Sequence, residues 1–468
     1  MINKNEVVAR VESASGIVFQ ANVQVLIIGA GACGLTAALA ASDNTNDILV
    51  LERDPEPSGS TALSSGFVPA ADTKCQRFKG IQDSAHEFNN DILAKASGKQ
   101  NSKLSKLVSY KCGKVLDWLG ERHGIDWKIL DNFLYPGHTY HRMHTVSEKT
   151  GIGLMNRLQA AIGRAGIAIS TNSLVDTIYM SNEIVSGVRV KRPNGLFEFI
   201  GCESLILACN GYGANKELVK KYIPEMSDAL YFGHAGNQGH AVLWGEQINA
   251  SAMHMSGYQG HGSVATPHGV LITWALMMEG GIQVNEQGLR FSNENQGYSE
   301  QSVHVLAQSN KVAWVIYDEK LHLLGKEFPD YLKAINSGAI KSAENAASLI
   351  ELIGVDRKGF EETLGLIEDF SLSKKVDPFG REFKRNLAPS EKMYAIKVTG
   401  ALFHTQGGLL VNEKAQVLKS DKTPFKNLFA GGGAACGVSG PDVSGYLSGN
   451  GLLTAFSLGG LAGWNASK

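Results

Sequence analysis

Three things are scarce in this 468-residue chain: net charge, paired cysteines and long apolar runs. Lysine and arginine number 44 and the acids 45, leaving a formal net charge of −1. That removes any bulk electrostatic case for a nucleic acid partner or a lipid surface. The six cysteines (Cys33, Cys75, Cys112, Cys202, Cys209 and Cys436) are scattered, with no C-x-x-C pair. Metal and dithiol chemistry are therefore not expected, and the cysteines read as small buried hydrophobes of a reducing compartment. No segment approaches the roughly 20 apolar residues of a transmembrane span. The opening MINKNEVVARVESASG lacks the apolar core of a signal peptide. A cytoplasmic protein is the expectation. Hydrophobic content of 43% against 19% charged is that of a folded chain with a large core.

Glycine, in contrast, is plentiful: 53 residues, against a norm of roughly 7%. The clusters point to backbone lying close to a ligand. The chain is organised around residues 24–52, QVLIIGAGACGLTAALAASDNTNDILVLE. Val25, Leu26, Ile27 and Ile28 suit a buried parallel strand. Gly29, Gly31 and Gly34 follow as G-x-G-x-x-G, then a small apolar helix opening, then a second strand from Ile48 that ends at Glu52. In such a βαβ unit the first glycine permits a tight turn, the second lets backbone approach a pyrophosphate, and the third packs helix on strand. The helix N-terminus offers free N–H groups and the positive end of its dipole to phosphate. Glu52 stands where an acid accepts hydrogen bonds from a ribose.

Downstream, RDPEPSGSTALSSGF is a hydroxyl-rich loop able to wrap a pyrophosphate or a flavin edge. Residues 82–120 and 151–170 read as helices, the latter ending in a strand. Between them YPGHTYHRMH holds His138, His141, Arg142 and His144, whose spacing fits no standard zinc pattern and suits a polar wall facing substrate or flavin. The segments 174–179, 184–190 and 197–199 alternate as antiparallel strands. Another strand, 204–209, runs into Asn210, Gly211, Tyr212 and Gly213 and resembles a second edge of the nucleotide domain. From about residue 216 the character changes to an inserted domain, with a strand pair and a helix expected over 283–306, Tyr298 near their junction, and helical stretches near 343–372. Glycine then returns in FHTQGGLLV, LFAGGG and GYLSGNG. The last of these opens a small-residue helix whose N-terminus can stabilise negative charge on a reduced flavin.

Taken together, the G-x-G-x-x-G…E opening, the inserted domain, FHTQGGLLV and LFAGGG resemble the FAD-dependent superfamily of fumarate reductase and succinate dehydrogenase flavoproteins and 3-ketosteroid dehydrogenases. The resemblance covers nearly the whole chain. It implies an α/β fold: a Rossmann-like FAD-binding domain (1–225 and 379–468, a parallel sheet plus antiparallel strands) with an inserted α+β catalytic domain (226–378). The implied cofactor is FAD, held noncovalently because residues 59–66 lack the histidine that attaches it in membrane succinate dehydrogenases. Candidate cofactor contacts are Gly29, Gly31, Ala32, Cys33, Gly34, Glu52, Arg53, Ser60, Thr61, Ser65, Gly66, Val175, Asn210, Gly211, Gly433, Ala434, Asn450, Gly451 and Leu452.

Details decide the branch. Arg290, Phe291, Ser292, Asn293 and Glu294 match an RFxNE element, but Tyr298 stands where fumarate reductases carry an acid arginine. Tyr446 stands where they carry a substrate-clamping arginine. Two arginines bind a dicarboxylate bidentately; two tyrosines polarise a ketone and shuttle a proton. The pair, with Ser448 two residues after Tyr446, resembles the Δ4-(5α) 3-ketosteroid dehydrogenases, whereas His404 before T-x-G-G is more usual in fumarate reductases. The resemblance implies dehydrogenation of a cyclic ketone or steroid. Tyr446 and a backbone N–H near Asn450 would hold the carbonyl, Tyr298 with Ser448 as relay would remove the α-proton, and the β-hydride would pass to flavin N5. His404 completes the catalytic candidates. In the alternative, a small carboxylic acid would be held by His404, Arg142 and Arg290. No second nucleotide domain is evident, so a quinone or carrier protein is the expected electron acceptor.

Overall fold

A computed structural model describes residues 8–131 and 134–468. The first seven residues lie outside that description, and Arg10–Ser13 is a short strand. The chain divides into two compact units. One comprises the chain up to Pro224 with Gly233–Tyr258 and His404–Lys468; the other comprises Glu225–Phe232 and Gln259–Phe403.

The first unit is built on a nine-stranded sheet. Ala21–Ile28 runs parallel between Ile48–Leu51 on one side and Phe197–Leu207 on the other. Ala168–Ser170 extends the parallel set beyond Ile48–Leu51, and Pro424–Ala430 extends it beyond Phe197–Leu207. The segments expected as two strands, 197–199 and 204–209, form one, Phe197–Leu207. Its first residues pair antiparallel with Ile184–Lys191 and its last pair parallel with Pro424–Ala430. It is thus an interior strand rather than the edge the sequence suggested. At Gly201 the Asn22 side chain of the neighbouring strand fills the space a Cβ would take, its amide oxygen 2.0 Å from that position.

The helix Ala32–Ala41 is buried at every residue. It packs on the helix Asn450–Ala466 backbone to backbone: a Cβ at Gly459 would lie 2.6 Å from Cys33 O, and one at Gly463 would lie 2.1 Å from Ala37 O. Glycines in mid-helix cost roughly 1 kcal/mol each in propensity, and the close packing they allow offsets that cost.

The second unit holds a seven-stranded sheet in which Met393–Thr405 pairs with Val312–Asp318. The strand pair expected near 283 is a single strand, Ile282–Val284, whose partner is the distant Val312–Asp318. Residues 285–289 only turn the chain, with Gly288 at φ +73°. The helix Tyr298–Leu306 follows, with Tyr298 as its first residue. The helical stretches expected near 343–372 are Ala346–Ile353 and Arg357–Ser371, separated where Gly354 adopts φ +73°. The units' limits and the expected domain limits differ in two places. Residues 233–258 pack with the first unit through the helix His240–Gln247 and the strand pair Ala252–Met253 with Gly408–Leu409. Residues 379–403 join the second because Met393–Thr405 is central to its sheet. Among the described residues no helix is long and apolar enough to cross a membrane.

Candidate active site

The glycine loop is shaped by contacts that leave no room for side chains on one face and open space on the other. Gly29 has φ +105°, and a Cβ there would sit 2.5 Å from Ala208 O. A Cβ on Gly34 would sit 1.8 Å from Gly29 O. At Gly31 the nearest atom to such a Cβ is Thr61 Oγ1 at 3.6 Å, so this face stays open for a ligand. The Ala32 N–H donates to Thr61 Oγ1 at 3.1 Å. Ser60 Oγ accepts from the amides of both Asn210 (3.0 Å) and Asn237 (2.9 Å), and Gly211 N–H donates to Asn210 Oδ1 at 2.8 Å. Glu52 is buried, and its two carboxylate oxygens accept from Ala30 N–H (2.9 Å) and Asp54 N–H (3.0 Å). Arg53 is turned onto Asp54 in a fork at 2.9–3.0 Å. Val175 is buried in the Leu174–Ser181 strand, close in sequence to Ser173, whose N–H donates to Glu52 O at 2.8 Å. Gly433 approaches so closely that a Cβ would lie 2.1 Å from Asn210 Oδ1, and Ala434 closes the same 3₁₀ turn, Gly432–Ala434.

Cys33, Ser65 and Gly66 stand apart from this ring of donors. The Cys33 thiol lies against Gly431 and burial pushes it up to about 12, so it is an inert packing group. Gly66 is pressed against Thr150 O at the start of the helix Gly151–Arg164, and Ser65 is exposed.

The second cluster lies at the start of the Asn450–Ala466 helix. His404 Nε2 is 3.5 Å from the Tyr446 hydroxyl, and the rings meet edge to face with centroids 5.5 Å apart. A Cβ on Gly451 would lie 2.9 Å from His404 Nε2, so glycine lets the imidazole lie flush on the helix start. Burial holds His404 down at about 4, so it is neutral near pH 7. Tyr446 and Ser448 are both buried. His138 Nε2–H donates to Ser448 O at 3.0 Å and anchors the loop. Burial, then the adjacent Arg142 charge, pushes His138 down to about 3. The Asn450 N–H, next to the expected oxyanion donor, is bonded to Leu447 O, and Asn450 Oδ1 is buried with no hydrogen-bond partner among the described residues. Leu452, half-buried, lies in the first turn of this helix.

In the second unit Tyr298 is half-buried and stacks on His261 with centroids 4.8 Å apart and planes at 18°. His261 in turn stacks on Phe403, and Phe403 on Phe232. His261 Nδ1 accepts from Ser263 N–H, which places its proton on Nε2, and burial holds it down at about 3. The RFxNE element supports this end of the helix. Arg290 bonds Glu294 at 2.7 Å and Asp377 at 2.7 Å, and Arg381 bonds Glu294 at 3.0 Å. Burial alone would raise Glu294, but the bonds from Arg290 and the Arg381 charge hold it below the usual carboxylate range.

These pairings bear on the carboxylate alternative. Arg142 is fully buried and closed onto Asp83 and Asp91, and Arg290 is closed onto Glu294 and Asp377. Neither expected carboxylate holder has a free fork. Asp83 and Asp91 sit on a distant stretch of chain, and no spacing ties them to Arg142. His261 and Gln406 were not singled out either, since YQGHG has no diagnostic spacing and Gln406 was seen only as part of HTQGG.

A family model described as an FAD binding domain matches residues 24–452. The chain belongs to this FAD-binding family. It is an FAD-dependent oxidoreductase, and the residues fit the cofactor: the glycine loop has an open face at Gly31, and the helix start carries an orphaned buried amide oxygen at Asn450. A curated relative, the NADH:fumarate oxidoreductase of Klebsiella pneumoniae, is 29% identical over 95% of this chain, which spans only 47% of that protein. Among solved structures, a flavocytochrome c3 fumarate reductase in its open conformation superposes with a TM-score of 0.81 at 26% identity, over 97% of this chain and 79% of that one. The 3-ketosteroid-Δ4-(5α)-dehydrogenase of Rhodococcus jostii superposes with a TM-score of 0.79 at 21% identity, over 98% of this chain and all of that one, a likeness of fold alone.

Proposed function

We propose that this FAD-dependent oxidoreductase introduces a C=C bond next to the carbonyl of a cyclic ketone, of which 3-oxosteroids are the leading class. One observation carries the reading: the two arginines that could hold carboxylates are consumed in buried ion pairs, whereas Tyr446 and neutral His404 form an uncharged donor pair. Leaving carboxylates without partners in a water-poor cleft costs several kcal/mol each. A ketone asks only for neutral donors. In this reading the Tyr446 hydroxyl donates to the carbonyl oxygen and stabilises the enolate as the α-proton departs. Tyr298 takes that proton as a phenolate, its own hydroxyl proton having left through the Ser448 relay, and the flat face of His261 holds its ring in place. Bound FAD, noncovalently held, supplies the two-electron exchange at the β-carbon.

The second reading is reduction of a small unsaturated carboxylic acid. His404 and the fumarate reductases among the relatives support it. Anaerobic flavin bleaching separates the two. A saturated 3-oxosteroid or substituted cyclohexanone should bleach the flavin, succinate and NADH should not, and fumarate should fail to reoxidise the reduced enzyme. Fast reoxidation by fumarate would select the second reading. Tyr446→Phe should cut ketone turnover by roughly 10²–10³-fold with unchanged FAD content, the loss expected for one oxyanion donor.

A further inference from the structure

Four polar side chains line up behind Tyr446. Asn450 Nδ2 donates to Ser439 Oγ at 2.9 Å, Ser439 Oγ donates to Gln406 Oε1 at 2.8 Å, and Gln406 Nε2 lies 3.2 Å from His404 Nδ1. The last link is His404 Nε2 to the Tyr446 oxygen at 3.5 Å. With Asn450 donating to Ser439 and Ser439 donating to Gln406, the row has a direction. Ser439 spends its single proton on the Gln406 carbonyl. That turns the Gln406 amine toward His404, and an amine can bond Nδ1 only if Nδ1 carries no proton. The imidazole proton then sits on Nε2.

We propose that Gln406 is a positioning residue that fixes His404 as its Nε2–H tautomer, so that Tyr446 accepts from His404 and its own hydroxyl proton is committed to the substrate carbonyl. This rests on the reading of Tyr446 as the carbonyl donor. The opposite tautomer has a claim as well, because the Thr405 carbonyl lies 3.3 Å from His404 Nδ1 and would accept a proton there. With the proton on Nδ1, the Tyr446 hydroxyl would donate to Nε2 and be lost to the substrate. The two distances to Nδ1 are nearly equal, so the polarity of the row behind Gln406 makes the choice. Ser439 and Gln406 are both buried, so water does not substitute for either.

Tautomers are read directly from the nitrogen shifts of ¹⁵N-histidine-labelled FAD-loaded protein, with His404 assigned by its absence in His404→Gln. Wild type should show a protonated Nε2 and a bare Nδ1. Gln406→Glu, which replaces the amine with a carboxylate acceptor, should move the proton to Nδ1 and lower ketone turnover by about 10²-fold, the scale of losing one donor. Ser439→Ala, which frees the Gln406 amide to turn, should give a mixture of the two tautomers. A wild-type enzyme protonated at Nδ1, or a tautomer unmoved by Gln406→Glu, overturns the proposal, and the first result needs no variant beyond the His404→Gln used to assign the signal. An enzyme with the expected tautomer and no ketone turnover would refute the ketone reading while leaving the tautomer assignment in place.

Discussion

The two units solve the same problem, how to hold a backbone segment in one place, by opposite means. In the first unit the Gly29–Gly34 loop is fixed by the absence of side chains at its two ends, where a Cβ on Gly29 or Gly34 would lie less than 3 Å from neighbouring backbone. In the second, the Arg290–Glu294 element is fixed by charge, with two arginines and two acids closed on one another in a dry interior. The difference is one of range. Steric exclusion acts within the turn at Gly34 and reaches one adjoining strand end, Ala208, at Gly29, whereas the ion cluster draws both Asp377 and Arg381 from a remote stretch. A glycine loop therefore tolerates almost no added volume, and the charge cluster tolerates almost no lost partner.

Four measurements break or sharpen that contrast. Glu294→Ala leaves Arg290 and Arg381 sharing only Asp377, and should cost about 3–5 kcal/mol in denaturant unfolding, the usual penalty for stranding a buried charge. A cost under about 1 kcal/mol would mean the cluster holds nothing. Gly34→Ala should cost about 1–3 kcal/mol through overpacking, and the purified protein should come out colourless, because the displaced loop no longer receives FAD. Glu52→Ala should weaken FAD binding by about 1–3 kcal/mol, the loss of a buried acceptor that also orders Ala30 and Asp54. Unchanged FAD affinity by titration of apoprotein would remove Glu52 from the site.

The mildest effect is a titration. His138 and His404 in the first unit, and His261 in the second, are held neutral when folded, at about 3, 4 and 3. The unfolded chain takes up protons on these residues below about pH 6.5. Stability should thus be flat above that pH, fall as pH drops toward 4, and level off below the folded values, by less than about 1.4 kcal/mol per pH unit for each histidine. Thermal melts at pH 7 and 5.5 check the sign, and a higher melting temperature at 5.5 contradicts it. Hydrogen exchange should show the loss mainly in the first unit, where more of the lowered histidines lie.

How much was legible follows the same division of range. The strand, the G-x-G-x-x-G turn, the buried helix and Glu52 could be read in order because each constrains its immediate neighbours in sequence. The fusion of 197–199 with 204–209 into one strand could not, because partners remote in sequence, Ala21–Ile28 and Pro424–Ala430, pair with it. Arg142 was read as a carboxylate holder since a lone arginine beside three histidines carries no sign of Asp83 and Asp91. Tyr298 and Tyr446 stood out only through resemblance. The partners that give them context, His261, Gln406, Ser439 and His138, come from elsewhere in the chain and carry no spacing signal.

The glycine-lined contact between Ala32–Ala41 and Asn450–Ala466 has a consequence in time. The first helix leaves the ribosome early, and its covering partner is translated about 400 residues later, which at roughly 5–20 residues per second is about 20–80 s. Throughout that interval a largely apolar helix beside the nucleotide motif lacks this covering partner. The flavin should therefore be taken up only after Asn450–Ala466 has been made.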